Sequence, residues 1–563
     1  MNKVNTLYKL ILFLTAIVAG LNAHAQINWL TAKEVKESVY VVTDRSSYSV
    51  EETIRVRVFN TSPDEVKAIE WSKVIYVELI TPDGTPIAQK KFSFGKDGGF
   101  GELTVPRLAK TGTYYLKAYT KWMRNFEVTG YGFVPVKIIN PYKPDLLLSD
   151  SKESIDFEIK EQAHKDISGI TINTIKKAFS RRENIEVNIA NTRSEGLTTT
   201  VSIYKKEAHN KQELVSLVEQ DRREFKPEFY PETRGVSISG KVISALDSTP
   251  LAFNPVNLTI FDVNNQLYSV RTDKKGRFIV SFPFIEGESE LFITTLKPSI
   301  EIEPVILIDN DFCTRNISLP FIPFSPSENE LAIYNQMAIN QQLSSYYKSE
   351  TLTETDTITS NSVAFYGTPE YKVRLSDFID LPSLNDYVLE LMPNVGVRKN
   401  QGMKYLKVMG LYSELNIYEP LVLLDLVAVY DVDRILTIPP KNIERIEVVD
   451  LPYQRGEELY GGIVSFISKE GDLAGVELPD WGSFIKYGLF ASDQNKQFVS
   501  MPSGRIPNVQ NTLFWDSNVS IPSAQSNKIN VYAPDIPGVY IIELNGIDSN
   551  GLPFRVQKEF QVK

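Results

Sequence analysis

Most of the chain alternates apolar and polar residues with a period of two. Ile54, Val56 and Val58 are separated by Arg55 and Arg57, so Thr53–Phe59 predicts a strand with one buried and one wet face. Val39–Val42 and Lys73–Ile80 are rich in β-branched and aromatic residues and predict two more. Thr81-Pro-Asp-Gly84 predicts a turn, since Pro82 presets φ and Gly84 tolerates positive φ. Gly112 then leads into Tyr114-Tyr-Leu-Lys-Ala-Tyr119. Closely spaced turns between such strands predict a β-sandwich. Ile167–Ile172, Asn184–Ile189 and Thr199–Ile203 form a second strand-rich group, and Val236–Ile243 and Asp273–Val280 belong to a third.

Two stretches break this pattern. Residues 328–347 carry Leu331, Tyr334, Met337, Ala338 and Gln341 at helical spacing without Pro or Gly, which predicts a helix docked on a neighbouring domain. Leu384, Tyr387, Val388 and Leu391 fall at i, i+3, i+4 and i+7, behind Ser383 and Asp386 placed as a cap. Pro420–Asp425, Ile443–Val449 and Tyr460–Ser468 then predict strands, making this segment α/β. Near the C-terminus Tyr540, Ile542 and Leu544 share one strand face.

Residues 1–25 lie outside the fold. Lys3 and Lys9 precede a short apolar core, Leu10–Leu21, and Ala23-His-Ala25 is a small-x-small cleavage site before Gln26. This predicts a secretory signal peptide cut between Ala25 and Gln26. No cysteine stands at the cleavage site after the apolar core, so no lipid anchor is expected. No later apolar run is long enough for a membrane helix.

Composition narrows the chemistry. The 563 residues carry a net charge of −10, which becomes −12 once the two lysines of the leader are removed. An acidic chain has no broad phosphate-binding surface, so no nucleic-acid partner is expected. Cys313 is the single cysteine, which excludes an internal disulfide and a Cys-rich zinc site. Of three histidines, His164 and His209 survive cleavage, both in polar surroundings. There is no His-Glu-x-x-His helix, Gly-x-Ser-x-Gly elbow or P-loop. The expectation is a non-enzymatic chain with no catalytic residues, no cofactor and no metal. Asp262-Val-Asn-Asn265 lacks the later Gly and Glu of an EF-hand loop. Trp71, Trp122 and Trp515 are expected in cores, and Cys313 as a small buried apolar group.

Several segments resemble known families. Val39–Arg45, Tyr48–Thr53, Pro82-Asp-Gly84 and Gly112–Tyr119 look like an MG2 domain of the α2-macroglobulin superfamily over residues 36–141. Trp122-Met-Arg-Asn125 fits the version found in Bacteroidota envelope proteins. The resemblance implies a β-sandwich used for structure or binding. Asp311-Phe-Cys-Thr-Arg315 is not the thioester motif of full macroglobulins, so no covalent trap is implied. Residues 142–207 read as a second macroglobulin-like sandwich and 208–233 as a linker. Gly240-Lys-Val242 followed by Thr272-Asp-Lys-Lys-Gly-Arg-Phe278 resembles a carboxypeptidase-regulatory-like β-sandwich over 234–308. A linker with the helix spans 309–364. Pro420-Leu-Val-Leu-Leu-Asp425, Ile443–Val448 and Tyr460-Gly-Gly-Ile-Val464 are similar to the plug domain of TonB-dependent transporters over 365–470. Residues 471–490 read as a linker. Arg505–Trp515 resembles the C-terminal Ig-like β-sandwich that follows such plugs, over 491–563. Only about 90 residues follow the plug-like segment, too few for a transporter barrel.

The fold class expected is therefore mainly β and multidomain, with tandem macroglobulin/Ig-like sandwiches plus one α/β plug-like domain. The function implied is that of an exported accessory or scaffold subunit. Its partner would be an outer-membrane receptor, secretion or assembly complex containing a TonB-dependent (SusC-like) or assembly barrel. The location implied is outer-membrane-associated, periplasmic or cell-surface, without a direct membrane span. The alternative is a thioester-less macroglobulin-like binder of proteases or other proteins. Asp247-Ser-Thr249 and Asp356-Thr-Ile358 fit a short O-glycosylation pattern of Bacteroidota, making Ser248 and Thr357 candidate acceptors.

Overall fold

The computed structural model describes residues 31–148, 157–161, 167–206, 212–216, 227–261, 265–283, 287–299, 301–347, 364–400, 402–410, 417–478, 481–489, 497–500, 506–548 and 551–563. They form a mainly β, multidomain chain of three sandwiches and one α/β unit.

In the N-terminal sandwich, Thr53–Asn60 pairs with Val39–Thr43 and Gly99–Thr104. Ile54, Val56 and Val58 face the core, as their alternation predicts. The facing sheet runs Ser47–Ser49, Gly132–Ile139, Gly112–Tyr119, Val74–Ile80 and Pro86–Ser93. Its central strands, Val74–Ile80 and Gly112–Tyr119, are buried along their whole length. One face packs into the sandwich, and the other is covered by Phe312, Ile317 and Leu319 from further along the chain. The Thr81–Gly84 turn closes with Gly84 at φ 86°, its N–H donating to Thr81 O at 2.9 Å.

The middle sandwich sets Arg277–Phe282, Val236–Ser244 and Pro304–Ile308 against a four-stranded sheet. The fourth strand of that sheet, Ser483–Leu489, pairs with Gly287–Thr295 from almost two hundred residues earlier. Residues 471–490 are therefore not simply a linker. Ile485 and Tyr487 are apolar enough to be recruited by the middle core, which a composition-based boundary does not reveal.

The largest departure from the sequence reading concerns residues 142–207 and 491–563, expected as two separate sandwiches. Their strands form one. Asn184–Asn191 lies between Ile170–Thr174 and Ser526–Tyr532, and Leu197–Lys205 lies between Thr512–Ile521 and Gly538–Ile547. Ile185, Val187 and Ile189 share a core with Leu513, Ile521, Val531, Ile542 and Leu544. Neither segment can cover its apolar strand faces alone, and each completes the other. Residues 208–233 likewise hold a strand, Gln212–Ser216, paired with Phe157–Glu161.

In the α/β unit the sheet order is Tyr371–Arg374, Ile443–Val449, Ile463–Ser468, Leu421–Leu424 and Val427–Ala428. Leu421–Leu424 runs parallel to Ile463–Ser468. The helix Leu384–Leu391 starts where the cap predicts, with Ser383 Oγ accepting from Asp386 N. Its Leu384, Tyr387 and Val388 are buried against the sheet.

The long helix Glu328–Tyr347 begins with a capping box, in which Ser327 N donates to Glu330 Oε2 at 2.8 Å and Glu330 N to Ser327 Oγ at 3.3 Å. It docks Tyr334 and Met337 against Ile139, Tyr204 and Ile541, so it sits between the N-terminal and split sandwiches. Leu331, expected on the docked face, is 48% exposed. The connectivity is nested. The split sandwich encloses the middle sandwich in sequence, and the middle sandwich encloses the long helix and the α/β unit.

Candidate functional site: buried polar joints and an inter-unit cavity

Two buried polar joints hold the units together. The first forms where Asp44 and Arg45 of the N-terminal sandwich meet Thr512 of the split sandwich. Thr512 Oγ donates to Asp44 Oδ2 at 2.6 Å and accepts from Arg45 Nη1 at 2.5 Å. Arg45 Nη2 pairs with Glu52 at 2.7 Å, and Tyr48 OH donates to Asp44 Oδ1 at 2.8 Å. Asn511 Nδ2 donates to Glu52 Oε1 at 2.7 Å, and Asn340 of the long helix donates to Asn511 Oδ1 at 3.0 Å. Arg55 lies 3.9 Å over the Phe498 ring. Burial works against the Arg45 charge, but Glu52 and Asp44 outweigh it and raise its pKa.

The second joint lies between the N-terminal and middle sandwiches. Lys91 Nζ sits 2.5 Å from both Asp311 Oδ2 and Tyr487 OH. Lys121 Nζ reaches Asp311 Oδ1 at 3.5 Å and Ser237 Oγ at 3.2 Å. Glu232 accepts from Ser237 N at 3.0 Å and from Tyr76 OH at 3.1 Å. Two ammonium groups thus meet two carboxylates, so the buried charge balances. Burial pushes the Glu232 carboxyl up. Burial also acts to raise Asp311, but Lys91 and Lys121 outweigh it and hold that carboxyl below its usual range.

Among the described residues, no group of three or more His, Cys, Asp or Glu is arranged to hold a metal ion. His164 and His209 lie outside the described residues, as do Ala25, Gln26, Thr357 and most of Asp262–Asn265. Cys313 is half-buried rather than fully so, with Sγ 3.8 Å from Tyr131 OH. Trp122 and Trp515 are buried, and Trp71 stacks on Trp122 at 4.8 Å. Ser248 lies exposed in a turn at φ 60°, beside Asp247, whose Oδ1 accepts from Thr249 N and Oγ1.

A cavity of about 650 Å³ opens where the middle sandwich meets the α/β unit. Arg271 and Lys297 line it from the sandwich, Tyr405, Tyr418 and Glu458 from the α/β unit, and Trp481 from the returning segment. Arg271 grips Glu458 through two contacts of 2.5 and 2.8 Å. Sequence reasoning missed these residues, because no local motif marks them. They are gathered only by the docking of the two units.

No family model matches the chain, and no curated protein is similar to it. Among solved structures, an α2-macroglobulin of Salmonella reacted with methylamine is similar at 7% identity and a TM-score of 0.22. That likeness covers 94% of this chain and 39% of that one. Dimeric latent PorU of Porphyromonas gingivalis is similar at 10% identity over 49% of this chain and 34% of that one, with a TM-score of 0.16. A tetra-tandem repeat of a large adhesion protein is similar at 6% identity over 94% and 99%, with a TM-score of 0.13. The chain spans well under half the length of the first two. At these TM-scores nothing about its activity follows from them.

Proposed function

We propose that the chain is a non-enzymatic, modular scaffold of the cell envelope, an accessory subunit of an outer-membrane receptor, secretion or assembly complex. The observation that carries this reading is the Asp44–Arg45–Thr512 joint. Buried hydrogen bonds from charged groups of one unit to a neutral hydroxyl of another fix their relative geometry, which a spacer needs and a chain of independent binding beads does not. Large apolar side chains remain at the surface of several units, and two groups of them bear on this reading. They are Ile339, Leu343 and Tyr346 on the long helix, and Tyr371, Phe378 and Ile379 on the α/β unit. Exposed apolar groups of this size suit a protein partner. The MG2-like, carboxypeptidase-regulatory-like and plug-like resemblances and the signal peptide agree with export and with a barrel-containing partner. No helix among the described residues is long and apolar enough to cross a membrane, so in this reading association runs through that partner.

The test is fractionation followed by mild detergent extraction. The chain is expected with outer membranes, in a complex well above its own 63.7 kDa. Ile379→Asp and Tyr346→Asp, both at exposed positions, are expected to release it without lowering its melting temperature. Recovery of the intact chain only as a free soluble monomer would overturn the scaffold reading and favour a free protein binder.

A further inference from the structure

The cavity between the middle sandwich and the α/β unit has a chemistry of its own. Its volume of about 650 Å³ lies within the range of small-molecule sites, which favour junctions between units. Two of its cations are spent on carboxylates of the lining. Arg271 and Glu458 pair bidentately, and Lys404 pairs with Asp433 at 3.4 Å. The Lys297 ammonium lies 5.6 Å over the Trp481 ring. The lining holds three cations, Arg271, Lys297 and Lys404, against four carboxylates, Glu419, Asp431, Asp433 and Glu458, so an anion entering this space finds no surplus positive charge. It finds hydrogen-bonding edges and aromatic faces instead. Tyr405 and Tyr418 bring rings to the lining, and Tyr418 is 37% exposed. The Trp481 indole N–H is shielded from solvent, so it is the ring and not the N–H that Trp481 offers to the cavity.

An extended peptide fits less well. Docking by strand addition needs a free ladder of backbone groups. Here Leu421–Leu424 is paired on both sides, and the Lys404 N–H already donates to Asp433 Oδ2 at 2.8 Å. The chemistry wanted is a ring with apolar C–H faces, for stacking on tyrosine and tryptophan, and neutral hydroxyls around its rim. We infer that the cavity binds a neutral mono- or disaccharide, with Trp481 and Tyr418 as stacking platforms and the Arg271–Glu458 pair offering donors and acceptors to its hydroxyls.

The experiment titrates the full chain by calorimetry with glucose, galactose, mannose, maltose and cellobiose. Glucuronate serves as the charged control and a tyrosine-rich decapeptide as the extended one. At least one neutral sugar is expected to bind. Trp481→Leu and Tyr418→Ala, which remove the aromatic stacking faces, are each expected to weaken it about tenfold. Neither is expected to lower the melting temperature appreciably. The inference is overturned if no neutral sugar binds at up to about 10 mM. It is equally overturned if both variants bind as the parent does, or if glucuronate or the peptide binds more tightly. None of these readouts depends on membrane fractionation, so failure here leaves the scaffold reading standing.

Discussion

Arg45 and Thr512 are 467 positions apart in the chain, yet the guanidinium of one donates to the hydroxyl of the other at 2.5 Å. The same hydroxyl donates to Asp44. One small side chain therefore satisfies both members of a buried acid–base neighbour pair. Thr512→Val keeps the shape and removes both bonds. It is expected to cost about 2 kcal/mol, because charged groups are left under-satisfied where water is scarce. Chemical denaturation reads this directly, and an unchanged midpoint would remove the joint from the account.

The shared sandwich can be tested by cutting the chain. If residues 31–489 and 497–563 are produced as separate pieces, they are expected to associate and co-elute. The shorter piece carries Leu513, Ile521, Val531 and Ile542, which have no core of their own. Independent folding of the piece, without association, would restore the picture of a separate C-terminal domain.

These two cases show how much was legible in the sequence. The alternation of Ile54, Val56 and Val58 gave the buried face, and Ser383 marked the helix start. Both are local signals, set by side-chain period and by unpaired N–H groups. The period of Ile185, Val187 and Ile189 was equally clear, but a period tells which face is buried and not which strand covers it. Joining Asn184–Asn191 to Ser526–Tyr532 needs information from across some 340 residues. The cavity was invisible for the same reason. Trp481 sits in a Pro/Asp/Gly context that reads as linker, and no local motif marks Arg271.

Stability is expected to depend on Glu37. Its carboxyl is buried, which raises its pKa, while hydrogen bonds from Thr120 and Ser72 oppose the shift without cancelling it. A carboxyl whose folded pKa is raised contributes stability fully below its unfolded pKa, about 4.3. That contribution is lost as pH rises through the folded value. Glu37→Gln removes the charge but keeps an acceptor. It is expected to raise the melting temperature at pH 7 and to leave it near the parent's at pH 4. The same shift at both pH values would show that titration is not the cause.

The hairpin Tyr453–Tyr460 is seated against the middle sandwich through Gly456. Its φ is 59°, and a Cβ there would lie 2.1 Å from Ser269 O. Gly456→Ala is expected to cost about 1–3 kcal/mol, since backbone rather than a movable side chain must give way. The neighbouring hydrogen bond from Arg455 Nε to Leu267 O, 2.6 Å long, should loosen with it. Faster amide exchange confined to Gln266–Arg271 is the expected signature.

The nested connectivity also sets a timetable. Leu197–Lys205 precedes Thr512–Ile521 by about 300 residues, so it emerges first whether from the ribosome or from an export channel. Through that interval the first half of the sandwich has open ladder edges and an uncovered apolar face, a combination that invites wrong pairing. Closure of the split sandwich thus waits for its later strands, Thr512–Ile521 and Ser526–Tyr532. Whatever holds the nascent chain meanwhile must keep residues 184–205 from finding another strand first.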